Sequence, residues 1–292
     1  MNGLKYNCEI ITPMFIYGSD GKTSELRPPS LKGMMRYWWR AAQAESDIAK
    51  MKKKEDAIFG DSGEKGKSKF SLIVKCKSDA ERYPMLPHRI GGNKLYRSAL
   101  IKKDFDVIIP FRRFGEEFSE RHLDALFKLT SWLSGLGRRS RRGFGAFAIK
   151  DDDSKYADLN YLFELIEIIS THKFEMNSKK DAIFLKESCD AKYPYIKEIR
   201  IGKHYSEGDS LLKTIGQASH ETAKEGHSKV LGYAKEKKRL ASPIYVSMVK
   251  SNSKYYPIIT TLNMDYVERV TKEGLEIQNN FKDAILQKEF EK

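Results

Sequence analysis

Two hydrophobic periodicities alternate along the first 150 residues, and their order restricts the fold more than any other feature. Apolar residues at every second position or in short runs indicate strands, whereas spacings of three and four indicate helices. Strand patterns occupy residues 4–16, 70–77, 105–111 and 144–149, and helical patterns begin at the expected N-caps Ser30 and Ser119. This β-α-β-β-α-β order is the ferredoxin-like arrangement, and it predicts an α+β domain over residues 1–150.

The second half repeats part of this order less clearly. Helical patterns cover residues 159–170 and 209–224 and return after residue 266, and strand patterns cover residues 196–205, 243–250 and 255–262. The last two strands are joined at Ser251-Asn252-Ser253, which is typical of a hairpin. Because residues 151–153 are three aspartates that form a polar break, we expect residues 155–292 to form a second, degenerate ferredoxin-like domain in tandem with the first.

Positive charge is concentrated in the first half of a chain whose formal net charge is +13. Residues 1–150 contain 30 Lys and Arg against 17 Asp and Glu, and they hold 13 of the 16 arginines. Residues 151–292 contain 23 basic and 23 acidic residues. A basic half beside a neutral half indicates a polyanion-binding surface. The alternative is a generally basic, solvated surface, which would distribute the arginines more evenly.

A glycine- and arginine-rich segment joins the second predicted helix to the last predicted strand of the first domain. Gly135 to Gly145 reads Gly-Leu-Gly-Arg-Arg-Ser-Arg-Arg-Gly-Phe-Gly. Glycine lets backbone N–H groups approach a phosphate, and guanidinium groups bind phosphate oxygens in pairs. A solvated basic turn is the alternative. The segment predicts an RNA-binding loop whose ligands are Arg138, Arg139, Arg141 and Arg142.

The first predicted helix carries a basic stripe beside its apolar face. Lys32, Arg36 and Arg40 lie on this stripe and can follow a phosphate backbone. Gly33 allows a close approach near the helix N-terminus, which is a favourable position for an anion. Trp39 lies between the two faces. Stacking on an RNA base and packing under the neighbouring sheet are both consistent with that position.

Several motifs resemble those of one family. They are Leu26-Arg-Pro-Pro-Ser-Leu-Lys-Gly33, the Arg-x-Trp-Trp-Arg helix at 36–40, Ile58-Phe-Gly60, the loop 135–145, Val230-Leu-Gly-Tyr233, Arg239-Leu-Ala-Ser-Pro-Ile244 and Tyr256-Pro-Ile-Ile-Thr-Thr-Leu262. Between residues 11 and 262 the chain resembles the RAMP superfamily of CRISPR-associated proteins and, within it, subunit one of the type III-B (Cmr) effector complex. The first of these motifs adds Arg27 to the candidate RNA contacts.

The resemblance implies two tandem ferredoxin-like domains and a position near the end of the complex that is distal to the 5′ tag of the guide. There the chain would contact the 3′ part of the guide (CRISPR) RNA, the target single-stranded RNA and other Cmr subunits in antiviral defence. It also implies that the chain is not an enzyme, because nuclease chemistry in such complexes belongs to other subunits. Residues 79–103 are an irregular insertion that leaves the path of the RNA over the first domain open.

The sequence contains no recognisable catalytic or metal-binding motif. The three cysteines form no CxxC pair, and the six histidines lack metal-ligand spacing, so we expect neither a metal nor a cofactor. The alternative function is a RAMP-type endoribonuclease that processes CRISPR precursor RNA without a metal. Its acid–base groups would be His220 and His227, with Glu221 and Lys224 nearby, or His204.

The sequence also bears on cellular location. No signal peptide is recognisable, and no run of 18 apolar residues occurs. We therefore expect a cytoplasmic protein that makes no contact with a membrane.

Overall fold

A computed structural model of the chain has a mixed α+β fold with two main antiparallel sheets. It describes residues 3–61, 63, 66–77, 79–88, 95–115, 117–150, 157–170, 172–224, 228–235, 238–263 and 271–287. The helices are α1 (Pro28–Gln43), α2 (Ile48–Phe59), α3 (Glu120–Leu133), α4 (Leu159–Ser170), α5 (Gly208–Lys224) and α6 (Lys272–Leu286). The strands are β1 (Gly3–Ile10), β2 (Ile73–Cys76), β3 (Glu81–Pro84), β4 (Tyr96–Ala99), β5 (Asp104–Pro110), β6 (Phe147–Ile149), β7 (Phe174–Met176), β8 (Ala182–Leu185), β9 (Ile196–Ile201), β10 (Tyr233–Lys235), β11 (Lys238–Leu240), β12 (Ile244–Ser251) and β13 (Lys254–Leu262). The predicted α+β class is confirmed.

The first half is built on a four-stranded sheet with the order β2-β5-β1-β6, in which all neighbouring strands are antiparallel. Cys8 of the central strand β1 lies opposite Phe105 of β5. Alternate residues of the sheet face the helices. Phe127 of α3 stacks on Tyr6 with ring centroids 4.2 Å apart and also meets Phe147 of β6. Burial of these rings stabilises the packing of α3 on the sheet.

The second half is built on a five-stranded antiparallel sheet with the order β12-β13-β9-β8-β7. A buried ion pair fastens α6 to it: Lys282 Nζ lies 2.8 Å from a carboxylate oxygen of Glu198 on β9. The other oxygen of Glu198 accepts a 2.7 Å hydrogen bond from Arg200. The Tyr205 hydroxyl donates to the carbonyl of Ile285 and ties the end of α6 to the same unit.

The two halves share a continuous apolar core. Helix α3 of the first half packs on α4 and β12 of the second, and the rings of Trp38 and Tyr245 meet edge to face at 5.2 Å. The Tyr245 hydroxyl bonds to the backbone N–H and carbonyl of Gly135. Because residues 151–156 lie outside the described ranges, the division into domains 1–150 and 155–292 stays a prediction.

Two local predictions are wrong, and one helix is missing from them. Helix α1 begins at Pro28 with Arg27 as its N-cap, not at Ser30, because the fixed φ and missing N–H of proline suit the first helical position. The insertion 79–103, predicted to be irregular, contains the antiparallel hairpin β3–β4. Helix α2 was not predicted.

Other local predictions are confirmed. Helix α4 covers residues 159–170, as its periodicity indicated. Strands β12 and β13 form the expected hairpin, and its turn residues Asn252 and Ser253 have φ values of 48° and 61°. Among the described residues, no helix is both long and apolar enough to span a membrane.

Candidate nucleic-acid interface

The Gly–Arg loop, residues 135–145, packs closely against its own chain at two glycines. Gly137 has φ +88°, and a Cβ added there would lie 2.4 Å from the carbonyl oxygen of Phe15. Gly145 has φ +73°, and its Cβ would lie 2.0 Å from the carbonyl oxygen of Leu136. The N–H of Arg138 donates to the carbonyl of Phe15. These two glycines are therefore required by the fold of the loop.

Arg138 and Arg139 lie at the tip of the loop. Arg138 is exposed, and its guanidinium lies 5.2 Å from the ring centroid of Tyr17. Arg139 lies 5.6 Å from the ring centroid of Phe144, and burial lowers its pKa. Its Nε is buried without a hydrogen-bond partner among the described atoms. Since a desolvated cation without a counter-ion is costly, an anion bound here would stabilise the loop.

Arg141 connects the loop to α1 and to the second half of the chain. Its guanidinium donates to the carbonyl of Ser242 and, at 3.2 Å, to the hydroxyl of Tyr37. It also lies 5.8 Å from the ring centroid of Tyr37 and 5.6 Å from that of Tyr245. These contacts fix the position of the charge beside α1.

Arg142 is directed into the protein. Its guanidinium donates to the carbonyls of Leu231 and Ile244 at 2.9 and 3.2 Å and to the hydroxyl of Ser242 at 3.1 Å. Burial, and after it the neighbouring arginines of the loop, lowers its pKa to about 10. Direct RNA binding by Arg142 stays a prediction, and these contacts weigh against it, because its donors hold the loop against the second half.

The basic stripe of α1 is partly neutralised by an acid from α2. Glu55 is only 3% exposed and accepts hydrogen bonds of 2.6 and 2.5 Å from Arg40. Its carboxylate also lies 3.0 Å from Arg36 Nε, and Arg36 donates to the carbonyl of Gly60 at 2.8 Å. Hydrogen bonding to Glu55 raises the pKa of Arg40. Arg36 and Arg40 therefore hold α2 on α1 and present only part of their surface to a ligand.

The remaining predicted contacts on α1 are distributed along its length. Lys32 donates to the carbonyl of Phe70 at 3.2 Å, and burial lowers its pKa. Trp39 is 3% exposed and meets the ring of Phe59 at 6.1 Å. This enclosure of the ring favours the packing alternative, and base stacking by Trp39 stays a prediction. Arg27 is half-buried at the start of the helix.

The loop and α1 differ in how their charge is balanced. Among the described residues, no carboxylate forms an ion pair with any of the four loop arginines, whereas Arg36 and Arg40 share Glu55. Arg141 brings the two features together through Tyr37. Neither Tyr37 nor Glu55 was predicted, because a helical tyrosine and a glutamate in a lysine-rich segment are not distinctive in sequence.

The candidate catalytic histidines have different neighbours. The ring of His220 on α5 lies 5.9 Å from that of His88, whereas the ring of His204 lies 5.9 Å from that of Tyr256. His227 lies outside the described residues. In the part of the chain that the structure describes, no three His, Cys, Asp or Glu side chains are grouped to hold a metal ion.

Sequence comparisons connect the chain to a family. Residues 7–148 match the model of the RAMP superfamily. The chain is similar to two proteins of Pyrococcus furiosus. CRISPR system Cmr subunit Cmr1-2 is 27% identical over 176 residues, which cover 50% of this chain and 94% of that protein. Cmr subunit Cmr1-1 is 30% identical over 138 residues, which cover 43% of this chain and 40% of that protein.

Solved structures have the same fold over nearly the whole chain. The crystal structure of apo Cmr1 from Pyrococcus furiosus aligns with a TM-score of 0.60 at 18% identity and covers 99% of this chain and 97% of that one. A chain in the cryo-EM structure of the type III-B Cmr-beta bound to cognate target RNA aligns with a TM-score of 0.60 at 13% identity and covers 96% and 99%. Residues 7–148 of this chain are therefore similar to the RAMP superfamily, and the chain shares its fold with these solved structures over nearly its whole length.

Proposed function

We propose that this chain is a non-catalytic, RNA-binding subunit of a type III-B CRISPR (Cmr) effector complex. In this proposal it holds the 3′ part of the guide RNA and the paired target RNA with its Gly–Arg loop. The observation that carries the proposal is the loop itself: four guanidinium groups within five residues, without a carboxylate partner among the described residues. Such uncompensated charge is characteristic of a phosphate-binding surface.

The relatives support the same conclusion. Two similar proteins are named as Cmr subunits, and a chain with the same fold belongs to a Cmr-beta assembly bound to target RNA. By extension, guide RNA, target RNA and other Cmr subunits are the proposed partners of this chain.

The proposed RNA contacts differ in strength. Arg138 is exposed, and Arg139 has a buried nitrogen without a partner, so these two are the principal phosphate ligands. Arg141 contacts Tyr37 and so connects these two residues to α1. Because phosphate contacts position a strand without reading its bases, we expect little sequence preference.

A salt titration tests the proposal. For single-stranded RNA, each neutralised phosphate contributes roughly 0.7 to the slope of log affinity against log salt concentration. Replacing Arg138, Arg139 and Arg141 together with alanine should therefore flatten the slope by about 2 and weaken binding to every sequence alike. Arg121→Ala, an exposed arginine on α3, is the control. An unchanged slope in the triple variant would remove the loop from the RNA site.

The absence of catalysis has its own test. We expect the purified chain to leave CRISPR repeat RNA intact in the presence and absence of EDTA. Specific cleavage that His220→Ala or His204→Ala abolishes would instead establish the endoribonuclease alternative. In the assembled complex, crosslinks from the loop should map to the 3′ part of the guide and to the target.

We also infer that both sheets derive from one βαββαβ plan. The four strands of the first sheet can be numbered by their order in the chain. In the sheet they then lie side by side in the order second, third, first, fourth. In the second half, β9, β12 and β13 take the first, second and third positions, and α5 connects the first two of them. The fourth position, beside β9, is occupied by β8, which precedes the unit in sequence. A rearranged second unit of this kind accounts for its irregular pattern in sequence.

A further inference from the structure

We infer that the hairpin β3–β4 and the adjoining segment 17–24 form a stacking surface for RNA bases, with Tyr96 and Tyr17 as the platforms. This inference rests on the proposed function and extends it from phosphates to bases. The two tyrosines and their arginine partners, Arg82 and Arg138, constitute what we call the Tyr–Arg surface.

The inference begins from an unusual exposure of apolar side chains. Leu95 is 48% exposed and Tyr96 is 40% exposed. Among the described residues they are the only adjacent pair of large apolar side chains in that condition. Consecutive residues of a strand face opposite sides, so each of the two side chains leaves a separate face of the ribbon open to another molecule, and Tyr96 does so on the face that carries Ser98.

The hairpin is held firmly at its base. The Tyr83 hydroxyl donates to Asp209 of α5 at 2.8 Å, and the ring of Tyr83 packs on those of Phe15 and Phe144. Ser98 is hydrogen-bonded to Ser24 at 2.8 Å. With this anchoring, the exposed side chains are presented by a positioned two-stranded ribbon and do not belong to a free loop.

Each tyrosine of the surface has an arginine over its ring. The guanidinium of Arg82 lies 5.9 Å from the ring centroid of Tyr96, and that of Arg138 lies 5.2 Å from the ring centroid of Tyr17. The two pairs are connected, because the Tyr17 hydroxyl donates to the carbonyl of Ser98 at 2.9 Å. Tyr96 and Ser98 share a face of β4 about 7 Å apart. A strand bound at Arg138 is therefore led towards Tyr96.

The local chemistry favours nucleic acid over a protein partner. Arg82, Arg97 and Arg138 are all exposed on or beside the hairpin. The acids on or beside the hairpin include Glu81, Glu25, Asp20 and Asp209; Asp20 accepts hydrogen bonds from Thr23, and Asp209 accepts one from Tyr83. Aromatic rings and guanidinium planes are the groups on which unpaired RNA bases stack, while arginine also binds the phosphates.

A binding experiment with and without bases tests the surface. The probes are a single-stranded RNA of about a dozen nucleotides and the same sugar–phosphate strand without bases, and affinity is followed by fluorescence anisotropy. On the base-containing strand, Tyr96→Leu should weaken binding by roughly five- to hundredfold, the range expected for one lost stack. Tyr96→Phe should bind as the unaltered chain does. Leu275→Ala, another exposed apolar residue, is the matched control.

Two further measurements distinguish the contribution of the bases to binding from that of the phosphates. Tyr96→Leu should leave the salt slope unchanged, and on the strand without bases it should bind as tightly as the unaltered chain. If Tyr96→Leu binds the base-containing strand normally while Arg138→Ala weakens it, the stacking surface is refuted and the phosphate site stands. If the unaltered chain binds neither strand, the proposed function fails as well. Thermal unfolding of each variant verifies that binding is compared between folded proteins.

Discussion

Arg138 and Arg142 lie four residues apart in one loop, yet their guanidinium groups have opposite surroundings. Arg138 is exposed above the ring of Tyr17, whereas Arg142 donates to backbone and hydroxyl oxygens of the second half. A guanidinium whose terminal nitrogens already donate to protein oxygens gains less from a phosphate. The two arginines should therefore separate cleanly into one that binds RNA and one that maintains the fold.

Replacing Arg142 tests this separation. Arg142→Ala should lower the free energy of unfolding by about 2–4 kcal/mol, because carbonyls of the second half lose their charged donor. Arg142→Lys should recover only part of that loss, since an ammonium group cannot reproduce the planar fork. Urea denaturation measures both changes. Arg138→Ala is the control and should unfold like the unaltered chain, and equal destabilisation by the two alanine variants would contradict the assignment.

Glu55 provides a second prediction at the level of one side chain. Glu55→Gln should reduce the free energy of unfolding by about 1–2 kcal/mol, because the neutral amide cannot hold Arg36 and Arg40 together. Glu117→Gln is the matched control: Glu117 also faces a cation, Lys54 at 3.6 Å, but its side chain is 77% exposed. If the unfolding midpoints of both variants shifted equally, burial of Glu55 would not strengthen its contribution to stability.

Among the elements, α1 has a glycine that the fold does not require. Gly33 lies in the first turns of the helix, and a Cβ added there would meet nothing within 4 Å. Gly33→Ala should therefore raise stability by about 0.5–1 kcal/mol. If RNA passes close to the start of α1, the same change should weaken RNA binding. A more stable variant with unchanged RNA affinity would exclude the helix N-terminus from the RNA path.

The elements that could be predicted from sequence are those with an unbroken period. Helix α4 has a continuous apolar face, and the hairpin β12–β13 has a distinctive turn. Helix α2 lacks a continuous apolar face, because Glu55 occupies one of its buried positions between Met51 and Ile58. The hairpin β3–β4 was missed because one strand ends in a proline and its connection is long.

The sequence allowed the residue types of the candidate site to be predicted. It did not allow prediction of the residues that contact them. Clustered arginines and glycines indicated an anion site from composition alone. The partners of Arg142 are about 90 to 100 residues away, and no local pattern encodes such contacts. Trp39 illustrates the same limit, because burial of one face of a tryptophan depends on α2, which the periodicity did not indicate.

At the scale of the whole molecule, a buried ion pair links stability to pH. Burial raises the pKa of Glu198, but the bonds from Lys282 and Arg200 outweigh it, so the pKa of the folded protein lies below the ordinary value for glutamate. Glu198 therefore stabilises the fold above the pKa of the unfolded chain, and this contribution disappears as pH falls through the lower folded pKa.

The free energy of unfolding, measured as a function of pH, tests the predicted direction of this effect. Between about pH 5 and about pH 3 the unaltered chain should lose more stability than Glu198→Gln does. At neutral pH the variant should be the less stable of the two, because Lys282 is left buried without its counter-charge. Parallel profiles for the two proteins would mean that the pair contributes nothing to the acid sensitivity.

The hydroxyl of Tyr245, on a strand of the second half, binds both polar groups of the Gly135 backbone at the point where the arginine loop begins. A fragment that ended at residue 150 would retain every arginine of that loop and lose the surface that orients them. Under the proposed function, we therefore expect that RNA affinity cannot be transferred with the basic segment alone. We expect it to require the intact polypeptide, in which the half with no net charge holds the loop of the basic half in position.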